Sequence, residues 1–160
     1  MPKPIIRPVL EEDCASVSAL WNDSWHDGHA AHLPPEVVAQ RNLESFAGRL
    51  PAMLGMSLLA EVDGRVAGFG AAIGNQVDQL YVARSSRGTG LAADLLGALE
   101  DMLRRDGVQQ AEIECATGNV PALVFYKKHG WQHVGVMERA LWMPEGQSLV
   151  HAMCILAKDL

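Results

Sequence analysis

Residues 87–92, Arg87-Gly88-Thr89-Gly90-Leu91-Ala92, form the segment that decides the fold. The segment follows a β-branched and aromatic run, Val77 to Ala83, and opens a pattern in which apolar residues recur every three or four positions: Leu91, Ala92, Leu95, Leu96, Leu99, Met102 and Leu103. This spacing predicts an amphipathic helix that ends at Gly107. Because the N–H groups at a helix N-terminus are unpaired and carry partial positive charge, the segment predicts a site for a phosphorylated ligand.

The helix is predicted to have a polar face, and the residues of the loop limit the class of phosphorylated ligand that it could bind. Glu100 and Arg104 lie four positions apart and predict an exposed ion pair. A Walker-type loop requires Lys and then Ser or Thr after its last glycine, whereas Leu91-Ala92 follows here. A dinucleotide fingerprint is formally present at Gly88, Gly90 and Ala93 with Glu112 downstream. The hairpin predicted before the loop and the short chain after it argue against that alternative.

Two segments resemble the GNAT superfamily of acyl-CoA-dependent N-acetyltransferases. Residues 77–92, VDQLYVARSSRGTGLA, are similar to its pyrophosphate loop, Gln/Arg-x-x-Gly-x-Gly/Ala, with Arg87, Gly90 and Ala92 at the defining positions. Residues 118–135, GNVPALVFYKKHGWQHVG, resemble its downstream signature of Asn, Ala, Tyr, Gly and an aromatic residue, here Trp131. The resemblance is clear from about Leu58 to the C-terminus and weaker before it.

The resemblance implies acetyl-CoA as the acyl donor, bound between the strands 77–82 and 111–116 of a splayed sheet. Backbone groups at Leu80–Val82 would hold the pantetheine arm and the acetyl oxygen, and the hydroxyl of Tyr126 would point at the sulfur. The implied donor-binding residues are Leu80, Tyr81, Val82, Arg87, Gly88, Thr89, Gly90, Leu91, Ala92, Asn119 and Tyr126. Independently of the family, Asn119 is a good N-cap for a short helix that Gly130 ends.

The patterns predict one mixed α/β domain over residues 1–160, a twisted, mostly antiparallel central sheet that is splayed in the middle and has helices on both faces. Asp63-Gly64 predicts a hairpin turn. The predicted strands are 5–8, 58–62, 65–73, 77–82, 111–116, 132–137 and 149–157. The predicted helices, besides the two above, are 11–25 and 36–50, separated by a loop over 26–35.

Transfer of an acetyl group to an amine requires a base, because an alkyl amine with a pKa near 10.4 is mostly protonated at neutral pH. Asp78, expected on the same strand face as Leu80 and Val82, is the first candidate. Glu114 and His151 are the next candidates for the base. We expect Tyr126 to protonate the departing thiolate and Tyr126→Phe to lower turnover roughly 10²-fold. Cys115 keeps a covalent route open.

The acceptor is less well defined by the sequence. His26, His29 and His32 lie in the predicted 26–35 loop, which suits substrate contact better than a metal site, and no metal is expected. Four residues of the preceding helix and loop are further candidates for acceptor contact: Trp21, Asp23, Trp25 and Asp27.

Composition limits the remaining alternatives. A net charge of −6 argues against nonspecific nucleic-acid binding, and no segment is apolar enough for a membrane span. We expect a cytoplasmic protein with reduced cysteines, and a homodimer is one open alternative for its assembly. The sequence thus favours an enzyme that acetylates a primary amine of a small molecule or peptide by direct attack in a ternary complex. A catalytically silent acyl-CoA sensor or interaction module is the alternative.

Overall fold

The computed structural model describes residues 3–160 and contains a seven-stranded sheet. Its order is β1-β2-β3-β4-β5-β7-β6, and every neighbouring pair is antiparallel except β4–β5. The strands are β1 Ile5–Pro8, β2 Ser57–Val62, β3 Arg65–Ile73, β4 Gln76–Val82, β5 Gln110–Ala116, β6 Gln132–Leu141 and β7 Leu149–Asp159. The predicted mixed α/β class and mostly antiparallel sheet are confirmed.

Helices cover both faces of the sheet, as predicted. They are α1 Cys14–His29, α2 Pro35–Ala39, α3 Leu43–Arg49, α4 Leu91–Arg105 and α5 Val120–Lys128. On one face, Trp21 of α1 and Phe46 of α3 pack on Phe69 of β3. On the other, Leu95 and Leu99 of α4 belong to a second apolar cluster that includes residues of α5. No helix among the described residues is both long and apolar enough to cross a membrane.

Two of the predicted boundaries before β2 are wrong. The 26–35 loop does not form, because α1 continues to His29 and a 3₁₀ turn follows over Ala30–His32. Packing of Trp25 and His29 holds this last turn despite Gly28. The predicted 36–50 helix is two helices, since Asn42 starts α3 by accepting a hydrogen bond from Ser45 N at 2.8 Å.

Glu100 is also misassigned by the sequence pattern, because its side chain is buried rather than on the exposed face of α4. Its carboxylate accepts hydrogen bonds from Trp131 Nε1 at 3.0 Å and from Lys158 Nζ at 2.9 Å. The predicted pair with Arg104 does form, at 4.0 Å from the same carboxylate. The partly buried ion pair between Glu100 and Lys158 joins α4 to β7, and the hydrogen bond from Trp131 joins α4 to the segment after α5.

Glycines in β3 allow α4 to approach the sheet closely. Side chains alternate along a strand, so Phe69 and Ala71 face α1 while Gly68 and Gly70 face α4. A Cβ atom at Gly70 would lie 2.6 Å from Leu99 Cδ1 and 3.2 Å from the carbonyl oxygen of Gln79. The sheet and the helix that starts at the predicted phosphate loop are therefore in direct contact.

We expect Gly70→Ala to lower the free energy of unfolding by about 1–3 kcal/mol, because Leu99 is fully buried and cannot move aside without disturbing its neighbours. Urea unfolding followed by circular dichroism measures the change. Gly97→Ala on α4 is the matched control. A Cβ there meets no atom within 4 Å, and alanine favours a helix. A Gly70→Ala protein as stable as the wild type would contradict this account of the packing.

Candidate active site

The sheet opens between β4 and β5. Only Gln76 and Glu112 pair across these parallel strands, supported by a hydrogen bond from Glu112 N to Asn75 O at 3.0 Å. Beyond that pair a cleft of about 610 Å³ separates the strands. It is lined by Asp78, the first candidate for the base, and by seven of the eleven predicted donor-binding residues: Leu80, Tyr81, Val82, Arg87, Ala92, Asn119 and Tyr126.

A β-bulge marks the point where the strands part. Ala71 pairs with Gln79 and Ala72 with Val77, so Asp78 is an extra residue in β4. The bulge places the side chain of Asp78 on the same face of β4 as that of Gln79. Gln79 Nε2 donates to the Asp78 carboxylate at 3.1 Å. Leu80 and Val82 instead pack toward α4. The prediction that Asp78 shares a strand face with these two residues is therefore wrong.

The predicted phosphate loop ends at the start of α4. Gly88 and Gly90 have φ values of 75° and 87°, in the left-handed region that favours glycine. Gly90 is the N-cap of α4 and has no side chain to cap the first turn, whose N–H groups therefore face the loop. Thr89 lies exposed in the loop, while the side chain of Leu91 is buried against β-strand residues behind the cleft.

Arg87 is held beside this loop. Its Nε donates to Val82 O at 3.4 Å, and its Nη2 lies 3.2 Å from Asp27 Oδ2. Arg84 binds the other oxygen of Asp27 at 2.7 Å. Burial tends to raise the pKa of Asp27, but the hydrogen bonds from the two arginines lower it below its ordinary value. Asp27, predicted as an acceptor contact, thus orients the two cations beside the predicted phosphate loop.

Asn119 closes the cleft from the side of α5. Its Oδ1 caps α5 by accepting from Ala122 N at 3.3 Å, and the residue is 9% exposed. Tyr126 lies farther along α5, between Phe125 and Trp131. Burial, with a smaller contribution from Cys115, raises the pKa of Tyr126 above its ordinary value. Its hydroxyl is therefore protonated at neutral pH, and it is a weaker acid than the hydroxyl of an ordinary tyrosine.

Two carboxylates reach the cleft from opposite strands. Asp78 of β4 is exposed, whereas Glu114 of β5 is partly buried and accepts from Gln76 Nε2 at 3.3 Å. Burial raises the pKa of Glu114, and the charge of Asp78 adds to this effect, against a lowering by Gln76 and Arg139. A carboxylate whose pKa is raised toward neutrality is a stronger base when ionised.

The other candidates for acid, base or nucleophile fit less well. His151 pairs with Arg139 in the β6–β7 ladder and does not line the cleft. Cys115 lines it, but burial, with a smaller effect of Cys154, raises the pKa of the thiol to about 12. A protonated thiol is a poor nucleophile, which disfavours the covalent route.

The three histidines have separate surroundings. His26 Nε2 hydrogen-bonds to Arg41 O, His29 packs edge-on against Tyr81, and His32 contacts Gly118. Burial, then repulsion from His32 and Arg41, lowers the pKa of His29 to about 4. Within residues 3–160, no group of three or more His, Cys, Asp or Glu side chains is arranged to hold a metal ion.

The far end of the cleft contains residues that no motif in the sequence indicated. Arg41, Arg49 and Trp142 line it together with Trp21 and Trp25. Arg41 Nη1 donates to Trp142 O at 2.7 Å across a sequence separation of 101 residues. Because this contact joins the break between α2 and α3 to the end of β6, no local pattern indicates it.

Comparison with solved structures identifies the class. The chain is similar to a GCN5-related N-acetyltransferase from Rhodopseudomonas palustris, with 27% identity, a TM-score of 0.76 and coverage of 100% of this chain and 98% of that one. It has the fold of the PaiA N-acetyltransferase from Thermoplasma acidophilum in complex with coenzyme A, with 18% identity, a TM-score of 0.73 and coverage of 99% of each chain. A ribosomal-protein-alanine N-acetyltransferase from Brucella melitensis gives 21% identity and a TM-score of 0.73, covering 98% of this chain and 99% of that one. The fold is thus that of N-acetyltransferases.

The family follows from the sequence itself. The model of the acetyltransferase (GNAT) family matches residues 15–131, and the chain belongs to that family. No curated protein sequence matches it. The resemblance read from the two motifs is confirmed, and the family assignment implies acetyl-CoA as the acyl donor.

Proposed function

We propose that the chain transfers an acetyl group from acetyl-CoA to a primary amine of a small molecule or peptide, by direct attack in a ternary complex. The observation that carries this proposal is the parting of β4 and β5 after the pair Gln76–Glu112. It leaves backbone groups of β4 beyond Gln76 without partners in β5. Such groups can hold an amide-containing arm and stabilise a developing oxyanion.

The donor is proposed to lie along the predicted residues. Its diphosphate binds the N–H groups at the start of α4, beside Arg87, where the helix dipole favours negative charge. The pantetheine arm follows Leu80–Val82, with Asn119 flanking it. Gly88 and Gly90 adopt the backbone conformation that brings the chain around this anion.

The reaction requires the acceptor amine to lose a proton, and Asp78 and Glu114 are the proposed proton acceptors. Glu114 has the stronger physical case because burial raises its pKa and it faces the cleft from β5. The neutral amine nitrogen then attacks the thioester carbon, the carbon–sulfur bond breaks with its electron pair on sulfur, and the nitrogen releases its remaining excess proton to solvent. Tyr126 donates a proton to that thiolate. The raised pKa of Cys115, about 12, favours direct attack over an acetyl-cysteine intermediate.

Calorimetry with acetyl-CoA, followed by thiol-release assays on a panel of amines, tests the function. The panel contains amino acids, polyamines, aminoglycosides and peptides with free N-termini. Binding with turnover supports the enzyme, and binding without turnover on any amine favours the sensor alternative. Absence of binding contradicts both, and NAD that competes with coenzyme A would support the dinucleotide alternative.

The cytoplasmic location and the homodimer stay predictions.

We expect Tyr126→Phe to lower kcat roughly 10²-fold, because the thiolate must then leave without a positioned proton donor. The KM for acetyl-CoA should stay within about threefold, since the ring still fills its place between Phe125 and Trp131. Single-turnover measurements isolate the chemical step. An unchanged single-turnover rate would remove Tyr126 from the mechanism.

A further inference from the structure

Two arginines are enclosed by tryptophans at the end of the cleft away from the phosphate loop. Arg41 is 6% exposed, and its guanidinium carbon lies 5.5 Å and 5.3 Å from the ring centroids of Trp25 and Trp142. The guanidinium carbon of Arg49 lies 4.3 Å from the Trp142 ring and 4.9 Å from the Trp21 ring. All five side chains line the cleft. The aromatic faces partly compensate the two cations and fix their orientation.

Neither Arg41 nor Arg49 has a carboxylate in direct contact among the described residues, although the charge of Asp78 acts on Arg49 from a greater distance. Arg84 and Arg87, beside the predicted phosphate loop, by contrast both form ion pairs with Asp27. Burial of a cation without a partner is unfavourable, so such a pair is normally completed by an anion.

Both guanidinium groups keep their charge under ordinary conditions. Burial, followed by repulsion from Arg41, lowers the pKa of Arg49 to about 10. Burial also lowers the pKa of Arg41. Two adjacent cations in a half-closed, aromatic-walled site therefore repel each other at neutral pH. An anionic ligand would relieve this repulsion and supply the missing hydrogen-bond acceptors.

We infer that the acceptor is an amine that also carries a carboxylate, that is, a free amino acid, and that Arg49 and Arg41 bind this carboxylate. This inference rests on the proposed function. Asp78 and Glu114 line the same cleft, so the site offers carboxylates to the ammonium group and guanidinium groups to the carboxylate. A planar guanidinium matches a carboxylate in a two-point contact, which a neutral amide cannot reproduce.

Matched acceptors test the inference directly. Each L-amino acid is assayed beside its carboxamide, which keeps the amine and the side chain and removes the negative charge. For the best acceptor, we expect kcat/KM to be roughly 10- to 100-fold higher for the acid than for its carboxamide. The carboxamide loses the hydrogen bonds between two charged groups, and this is the size of effect that such a loss produces. Equal values for acid and amide, or turnover confined to polyamines, aminoglycosides or peptides, would overturn the inference and leave the acetyltransferase proposal intact.

The variant Arg49→Gln tests whether the preference for the amino acid over its carboxamide depends on Arg49. Arg49 is only half-buried and is preferred for the test because Arg41 also anchors Trp142 O. We expect kcat/KM for the acid to fall much more than kcat/KM for the amide, so that most of the preference is lost, and Arg49→Lys to recover only part of it. Arg104→Gln, on the far surface of α4, is the matched control and should keep the full preference. A full preference in Arg49→Gln would contradict the assignment.

A binding measurement separates this inference from failure of the chemistry. Protein loaded with coenzyme A is titrated calorimetrically with N-acetyl-L-amino acids and with their carboxamides. Tighter binding of the acids in the wild type, reduced in Arg49→Gln, supports the carboxylate site even where turnover is undetectable. If no acid binds more tightly than its amide, the inference is wrong, whatever the result with acetyl-CoA.

Discussion

Glu114→Gln is expected to lower kcat about 10³-fold, because glutamine keeps the size and hydrogen-bonding capacity of the side chain but cannot accept the proton of the amine. The contact with Gln76 Nε2, 3.3 Å in the wild type, can be retained by the amide oxygen. The KM for acetyl-CoA should change little, since Glu114 lies away from the phosphate loop. Steady-state thiol release at saturating donor measures the effect.

The pH profile identifies the group more specifically. A base works only when ionised, so kcat/KM should rise with pH as Glu114 loses its proton and fall as the pH drops through its pKa. Because burial raises that pKa, the rise should occur above the ordinary glutamate value of about 4.3. We expect this acidic limb to disappear in Glu114→Gln.

Glu112→Gln is the matched control. Glu112 lies two positions earlier on β5 and approaches the same Arg139, at 3.7 Å, but it does not line the cleft. Its replacement should leave kcat within about threefold and keep the acidic limb. If instead Asp78→Asn abolishes turnover and Glu114→Gln does not, the proton acceptor is the bulged aspartate of β4.

Features with local causes were predictable from the sequence. Gly90 precedes an amphipathic helix, and its backbone conformation follows from the loop chemistry around it. Asn119 caps α5 as its position before Pro121 indicates. The strands are predictable because β-branched and apolar residues alternate between turn signals such as Asp63-Gly64. Seven of the eleven predicted donor-binding residues line the same cleft.

Features that depend on distant partners were not predictable. Glu100 appears polar on a helical wheel, yet Lys158 and Trp131 make its burial favourable. The bulge at Asp78 arises from the register with β3, which no spacing within β4 reveals. Arg49 meets Trp142 only after the whole sheet is assembled. The residues of the proposed donor site thus lie closer together in the sequence than those of the proposed acceptor site, and local patterns indicate them more readily.

Ala92→Asp is expected to weaken acetyl-CoA binding by roughly 10²- to 10³-fold. Ala92 lies in the first turn of α4 and lines the cleft where the diphosphate is proposed to bind. Two like charges about 5 Å apart repel by about 3 kcal/mol at the effective dielectric constant of a protein surface. An aspartate in the first turn favours the helix, so the loss cannot be ascribed to unfolding of α4. Calorimetric titration gives the Kd.

The neutral variant separates charge from size. Ala92→Asn introduces a side chain of nearly the same volume without the charge, so it reports the steric part of the effect, which we expect to be below about tenfold. Since electrostatic repulsion is screened by salt, the difference between the two variants should shrink as ionic strength rises. Equal losses in both variants, independent of salt, would mean that no anion binds at the start of α4. The helix N-terminus would then be only a structural element, and the donor would have to be held by other residues of the cleft.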